Sequence, residues 1–252
     1  MFYDQDGLRT GHNHDFVSDP AFMAAYARGV EAADGTDYKW HWRVHIGLWA
    51  ARTAAQAPGD YVECGVNVGF LSSAIMHDLD WNRFGRRFFL LDTFKGIDPD
   101  FVTDQELEGD ILGKNQKLLD TGFYVTSADR VRQNFAEFRN VEIIEGTVPH
   151  TLGQVTTDRI AYLHIDMNCA PPEVAALEHF WPRLSVGAIV LLDDYAFHGY
   201  LPQKLAMDEL AGKLGFQIAS LPTGQGLIVR GGDAPGAAPK PSIWARLLRR
   251  FT

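Results

Sequence analysis

The sequence has only two cysteines, Cys64 and Cys169, both in or just after predicted strands. That usage suits reduced thiols in a cytosolic protein better than a disulfide framework. A basic surplus is also missing. With 23 Lys and Arg against 32 Asp and Glu, the net charge is −9. A nucleic-acid groove needs a basic face, so no nucleic-acid partner is expected. No apolar run approaches the ~20 residues that span a bilayer. The opening "MFYDQDGLRT" lacks the apolar stretch of a secretory signal, and the expected location is the cytoplasm. There is no His/Cys cluster of the kind that holds zinc: His12 and His14 fall in a polar loop, and His41 and His45 read as surface or packing residues. No internal repeat is present, which excludes a solenoid.

What remains is a chain of 252 residues, 46% apolar, enough for one large α/β core. "DPAFMAAYARGVEAA" reads as a helix. "TDYKWHWRVHIGLWAARTAAQ" reads as a second, with Thr36 or Asp37 as N-cap and with Trp42, Ile46, Trp49 and Thr53 on one face. Strand and helix patterns then alternate: "DYVECGV", "RRFFLLDTF", "VEIIEG", "IAYLHID" and "GAIVLLDD" are strands with helical segments between them. The helix "QKLAMDELAGKLG" stops at Gly215, and "FQIASLPTGQGLIVR" reads as a hairpin. The expected fold is therefore α/β: a doubly wound, mostly parallel seven-stranded sheet, helices on both faces, closed by a C-terminal antiparallel hairpin. Residues 95–126 are acidic and irregular, and are expected to form a surface excursion.

Ligands in such sheets bind at the carboxyl ends of the strands, beside the switch in strand order. Every acid of interest falls at such an end. In "ECGVNVGF", Glu63 closes the first strand, and Gly65 and Gly69 frame the turn into a helix, whose N-terminus offers free N–H groups. Asp92, followed by Thr93, ends the second strand where an acid binds ribose hydroxyls in nucleotide-binding folds. Taken alone, Asp92 reads equally as a helix cap. Glu145 and Gly146 follow the third strand, at the edge of an adenine pocket. Three loops at one sheet edge favour a nucleoside-containing cofactor. Asp166 and the pair Asp193–Asp194 end what should be neighbouring strands. Three converging carboxylates repel unless protons or a cation neutralise them, and hard oxygen donors suit Mg²⁺ or a similar divalent ion. Solvated strand ends are the plain alternative.

The ordered set "PGDYVECGVNVG", "LLDTFKGI", "IIEGTVPHTL", "LHID" and "PRLSVGAIVLLDDY" resembles the class I S-adenosylmethionine-dependent methyltransferases, and within them the macrocin O-methyltransferase family of sugar O-methyltransferases. The resemblance implies a Rossmann-like methyltransferase domain over 58–230. Glu63, Gly65 and Gly69 would hold the methionine end of S-adenosylmethionine, Asp92 and Thr93 the ribose, and Glu145, Gly146 and Thr147 would lie by the adenine. Asp166, Asp193 and Asp194 would hold Mg²⁺, with Asp166 beside the chemistry and a small-molecule or glycan acceptor next to it. Residues 1–57 form an N-terminal helical segment placed to cover the acceptor. Two departures stand out. The family's first loop carries Trp-Arg-Gly-Gly where this chain has Asn67, Val68, Gly69 and Phe70. Its Asp-Gly-Asp-Leu-Tyr-Glu-Ser-Thr segment supplies the general base from the second aspartate, and here that position is Asn168, which accepts no proton at neutral pH. His198 is the nearest replacement base in the sequence.

Two other classes stay open. An NAD-dependent oxidoreductase shares the fold, although G-x-G-x-x-G is absent and the carboxylate trio has no role there. A cofactor-binding protein that has lost catalysis would explain Asn168. Beyond residue 230, "GGDAPGAAPKP" reads as a linker, and residues 242–252 form a basic amphipathic stretch suited to peripheral contact with the inner face of a membrane. A homodimer through the N-terminal helices is the expected assembly.

Overall fold

A computed structural model describes residues 2–232. A short antiparallel hairpin comes first, β1 (Tyr3–Gln5) and β2 (Leu8–Thr10). Two helices follow. In α1 (Pro20–Ala32), the Asp19 carboxylate accepts the Phe22 amide at 2.9 Å and Pro20 sits in the first turn, a standard N-terminal arrangement. The second, α2 (His41–Ala54), begins later than its sequence suggests. Asp37 is no cap: its carboxylate accepts from the Tyr26 hydroxyl at 2.7 Å and from the Lys39 amide at 2.9 Å, and holds residues 36–40 out of the helix. The buried face of α2 also differs from the aromatic stripe. Val44, Gly47, Leu48 and Ala51 face inward, while Trp49 is 45% exposed. Close packing decides this, since a side chain at Gly47 would come within 2.5 Å of Leu71. Bulky tryptophan cannot enter such a contact.

The central sheet alternates with helices. β3 (Asp60–Cys64) leads into α3 (Phe70–Asp78) and the short α4 (Trp81–Phe84), then β4 (Phe88–Asp92). After α5 (Asp104–Glu108), α6 (Ile111–Asp120) and α7 (Ala128–Asn134) come β5 (Val141–Glu145) and β6 (Ile160–Ile165). The chain continues through α8 (Ala170–Phe180), β7 (Leu184–Leu192), α9 (Leu201–Leu214), β8 (Ala219–Ser220) and β9 (Gly226–Val229). The strand order is β5-β4-β3-β6-β7-β9-β8, parallel from β5 to β7 and antiparallel for the last two. This is the seven-stranded, doubly wound sheet with a terminal hairpin that the alternation of patterns implies.

Two apolar layers flank it. Tyr61, Phe88 and Tyr162 point to the face covered by α1, α2 and α3, and Val62, Phe89 and Leu163 to the face covered by α8 and α9. The period-2 alternation of strand side chains makes this division. Strand order reverses between β3 and β6, which opens a crevice at their carboxyl ends. Register aligns those ends: Cys64 pairs with Leu91 and Ile165, and Ile165 with Leu192.

Residues 95–126 are more than a surface excursion. They fold into α5 and α6, and bury Glu106 and Asn115. Thr103 and Glu106 form a capping box, and the other Glu106 oxygen accepts the Ala170 amide at 2.6 Å. The free N–H at the start of α8, which Cys169 leaves uncapped, is satisfied by this segment. No described helix is long and apolar enough to cross a membrane. The expected linker and amphipathic stretch lie, from residue 233 on, outside the described residues.

Candidate active site

A cavity of about 350 Å³ opens at the strand-order switch. Its floor is the loop after β3. Gly65, at φ +89°, passes so close to β6 that a Cβ would lie 1.6 Å from the Asp166 carbonyl oxygen. Gly69, at φ +80°, starts α3 against the Phe135 ring, 2.4 Å from where a Cβ would fall. Only glycine fits either position. Gly65, Val66, Asn67 and Val68 line the cavity.

Asp92 serves that loop directly. Its Oδ2 accepts the Val66 and Asn67 amides, each at 2.8 Å, and its Oδ1 accepts the Phe94 amide at 2.7 Å. Burial pushes its pKa up, although the three amides favour the charged form. Asn67 ties the far end of residues 95–126 to the same loop: its amide donates to the Phe123 carbonyl at 3.0 Å, and its oxygen accepts from Val125 at 2.9 Å. Thr93, Gly146 and Thr147 line the cavity with Asp92. Thr147 donates to Asp98 at 2.8 Å. Glu145 is not brought in. Its side chain is exposed, 3.9 Å from Arg132, and does not line the cavity.

Glu63 stands on the cavity wall, buried, with one oxygen 2.8 Å from His164 Nδ1. Its Oε2 is buried with no partner. His164 lies opposite Glu63 in the register of β3 and β6, and its Nε2 is 3.7 Å from Asp193 Oδ1. Burial opposes a charged imidazole, but Asp193 and Glu63 on either side raise its pKa to about 10. The ring therefore carries a proton at neutral pH.

Asp166, Asp193 and Asp194 do converge at the ends of β6 and β7, and all line the cavity. Arg43 of α2 enters the same cluster. Its Nη1 donates to Asp193 Oδ2 and lies 4.0 Å from Asp194 Oδ1, and its Nε donates to Asp6 at 2.8 Å. Although burial disfavours the charge on Asp193, Arg43 and His164 hold its carboxyl far below the usual range. Burial, then the Asp193 charge, pushes Asp194 up to about 7. Burial and both neighbouring aspartates keep Asp166 well above the normal carboxyl value. Glu173 is raised by burial and by the Asp194 and Asp166 charges.

The donor set as arranged does not fit a divalent ion. Asp193 spends both oxygens on protein donors, Arg43 and the Gln225 amide at 2.9 Å. Asp166 Oδ1 takes a 3.3 Å bond from Asn168. Among the described residues, no three His, Cys, Asp or Glu side chains are placed to hold a metal. The residues fit S-adenosylmethionine better. The unpartnered Glu63 oxygen, the glycine cradle at Gly65 and the Asp92 end of β4 lie on one cavity wall.

His198 does not reach the site. Its side chain is exposed in the turn before α9, and Tyr200 takes the inward place, donating to Asn168 Oδ1 at 2.8 Å. Sequence reading missed Arg43, His164, Asp6 and Tyr200. His164 left a trace: a histidine one residue before the end of an otherwise apolar strand, matching Glu63 one residue before the end of its own. Tyr38, Trp40, Phe123, Tyr124 and Phe197 complete the wall. Trp42 packs on Phe16 at 4.7 Å instead.

Residues 49–209 match the family described as Macrocin-O-methyltransferase (TylF). The chain belongs to that family. It is 30% identical over 148 residues to the 8-demethyl-8-(2,3-dimethoxy-alpha-L-rhamnosyl)-tetracenomycin-C 4'-O-methyltransferase of Streptomyces olivaceus, covering 55% of this chain and 54% of the relative. It is 31% identical over 172 residues to the demethyldecarbamoylnovobiocin O-methyltransferase of Streptomyces niveus, covering 64% and 61%. The matches thus span between half and two thirds of these curated relatives. Among solved structures, the O-methyltransferase NovP superposes with a TM-score of 0.62 at 25% identity, over 75% of this chain and 80% of that one. The calicheamicin methyltransferase CalS11 shares the fold, with a TM-score of 0.56 at 18% identity over 88% and 99%.

Proposed function

We propose that this protein transfers a methyl group from S-adenosylmethionine to a hydroxyl of a sugar or glycoside. One observation carries the reading: Glu63, the glycine loop and Asp92 share one cavity with the Asp166–Asp194 cluster, in a chain of the macrocin O-methyltransferase family. The name of the Streptomyces olivaceus relative specifies a rhamnosyl group, which favours a glycoside acceptor. The aromatic wall of Tyr38, Trp40, Tyr124 and Phe197 suits the apolar face of a sugar ring.

S-Adenosylmethionine supplies, when bound, a methyl group on a positively charged sulfur. Glu63 Oε2 would take the ammonium of its methionine end, and Asp92 would hold the ribose while it anchors the loop. Asp194 takes the hydroxyl proton. A carboxyl poised near neutrality is suited to a base at physiological pH, and it replaces the aspartate lost at Asn168. Asp166, its pKa raised by burial and by the Asp193 and Asp194 charges, stands beside the acceptor. The aromatic wall and residues 95–126 exclude water and hold the acceptor in line, where orientation removes much of the entropic barrier. We read residues 1–57 as the acceptor-side cover, since Asp6, Tyr38 and Trp40 face the cavity. Mg²⁺ assistance does not fit the donor set, and no step depends on it. Incubation with methyl-labelled donor and a panel of glycosides and nucleotide sugars tests the proposal. Label should appear on an acceptor hydroxyl, and no transfer to any of them would count against it.

A further inference from the structure

The carboxylates at the ends of β6 and β7 need a cation, and the chain brings its own. Arg43 is 12% exposed, bonded to Asp193 and to Asp6, and its guanidinium carbon lies 4.6 Å above the Phe197 ring. Those contacts join three parts of the molecule: the turn between β1 and β2, the end of β7 and the loop that follows it. The placement is not loose. Arg43 precedes Val44, which is buried, by one residue, and Gly47 locks the same helix against Leu71. The guanidinium is thus held by the packing of α2 as well as by its own bonds.

A guanidinium and a divalent ion compete for this cluster. Mg²⁺ needs near-octahedral oxygen donors, with at least one or two carboxylate oxygens free to face it. Asp193 already accepts Arg43 on one oxygen and the Gln225 amide on the other. Adding a second cation beside the planar fork would also set like charges together in a poorly solvated site. We propose that Arg43 is the built-in counter-cation of the acceptor site, standing where a divalent metal would otherwise be required, so that binding at this site is metal-independent. A guanidinium neutralises and orients but has no Lewis acidity. Arg43 is therefore a positioning residue, and removal of the acceptor proton rests with a carboxylate. The inference uses the methyl-transfer reading only to call this the acceptor site.

The test reads metal directly and does not depend on turnover. Mn²⁺ is titrated into EDTA-treated, dialysed protein, and the free ion is followed by electron paramagnetic resonance. Wild type should show no saturable site. The Arg43→Ala protein, checked for folding by circular dichroism, should gain one site per chain, with a dissociation constant of about 10⁻⁴–10⁻³ M, in the range of weak carboxylate sites. Adding Asp193→Ala should abolish it. Arg43→Lys should behave as wild type. A saturable wild-type site that Asp193→Ala removes would overturn the proposal, and this arm decides even if Arg43→Ala does not fold. A folded Arg43→Ala protein that takes up no Mn²⁺ would equally overturn the claim that the guanidinium fills a cation site. If no methyl acceptor is ever found, these results still stand or fall by themselves.

Discussion

Glu63 and His164 face each other on adjacent parallel strands, with a carboxylate oxygen 2.8 Å from the imidazole Nδ1. That pair, 101 residues apart in the chain, ties the cofactor end of the cavity to the acidic end. On the other side of the ring, His164 reaches toward Asp193, which in turn holds Arg43. A continuous row of alternating charges therefore runs across the strand-order switch: Glu63, His164, Asp193, Arg43, Asp6.

Asp193 is the link with the most to lose. Its removal leaves Arg43 and His164 buried without their shared counter-charge. Breaking a buried pair from one side costs about 3–5 kcal/mol. Asp193→Ala should lower the unfolding free energy by that much in urea denaturation. A loss within about 0.5 kcal/mol, as for an ordinary surface substitution, would contradict the arrangement.

Stability should fall as pH rises above the acid range. Asp194 has a folded pKa of about 7 against a reference of 3.8, so its stabilising proton is held below pH 3.8 and its contribution is lost on rising to pH 7. His164 has a folded pKa of about 10 against 6.5, so its contribution is full below pH 6.5 and lost toward pH 10. Melting temperatures measured across pH 5–10 should decline, and His164→Gln should remove the part of the decline above about pH 7. A His164→Gln profile parallel to wild type across that range would show that the ring is not the group involved.

The wall formed by residues 95–126 depends on Glu106. Its carboxylate serves Thr103 on one side and the Ala170 amide on the other. Hydrogen bonds to a charged group are worth about 1.5–3 kcal/mol each. Glu106→Ala should make this segment open more readily, seen as faster amide exchange in α5 and α6 with the central strands unchanged. Equal exchange in both proteins would show that the clasp does not hold the wall.

Much of the sheet was legible because its signals are local. Short apolar runs in "DYVEC", "FFLLD" and "IAYLHI", and a glycine after α9, each mark an element within a few residues. The acids Asp92, Asp166, Asp193 and Asp194 could be placed at one edge since each directly ends such a run. The rest depended on distance. Arg43 lies 150 residues from Asp193, and no periodicity in "HWRVH" announces a partner so far away. The three-residue strands β1 and β2 are too short for alternation to show. The choice of Tyr200 over His198 for the inward position rests on how the turn before α9 closes, which residue type alone does not determine. On α2 the tryptophans suggested the buried face, and the close approach of α3 selected the small residues instead.

The central claim is that Glu63 and the glycine loop form a binding site for S-adenosylmethionine. Calorimetric titration with S-adenosylhomocysteine, in EDTA and with NAD⁺ as control ligand, tests it most directly. The account predicts binding of S-adenosylhomocysteine without added metal, none of NAD⁺, and at least about tenfold weaker binding by Glu63→Gln, the loss expected for one charged hydrogen bond. Binding of NAD⁺, or undiminished binding of S-adenosylhomocysteine by Glu63→Gln, would contradict it.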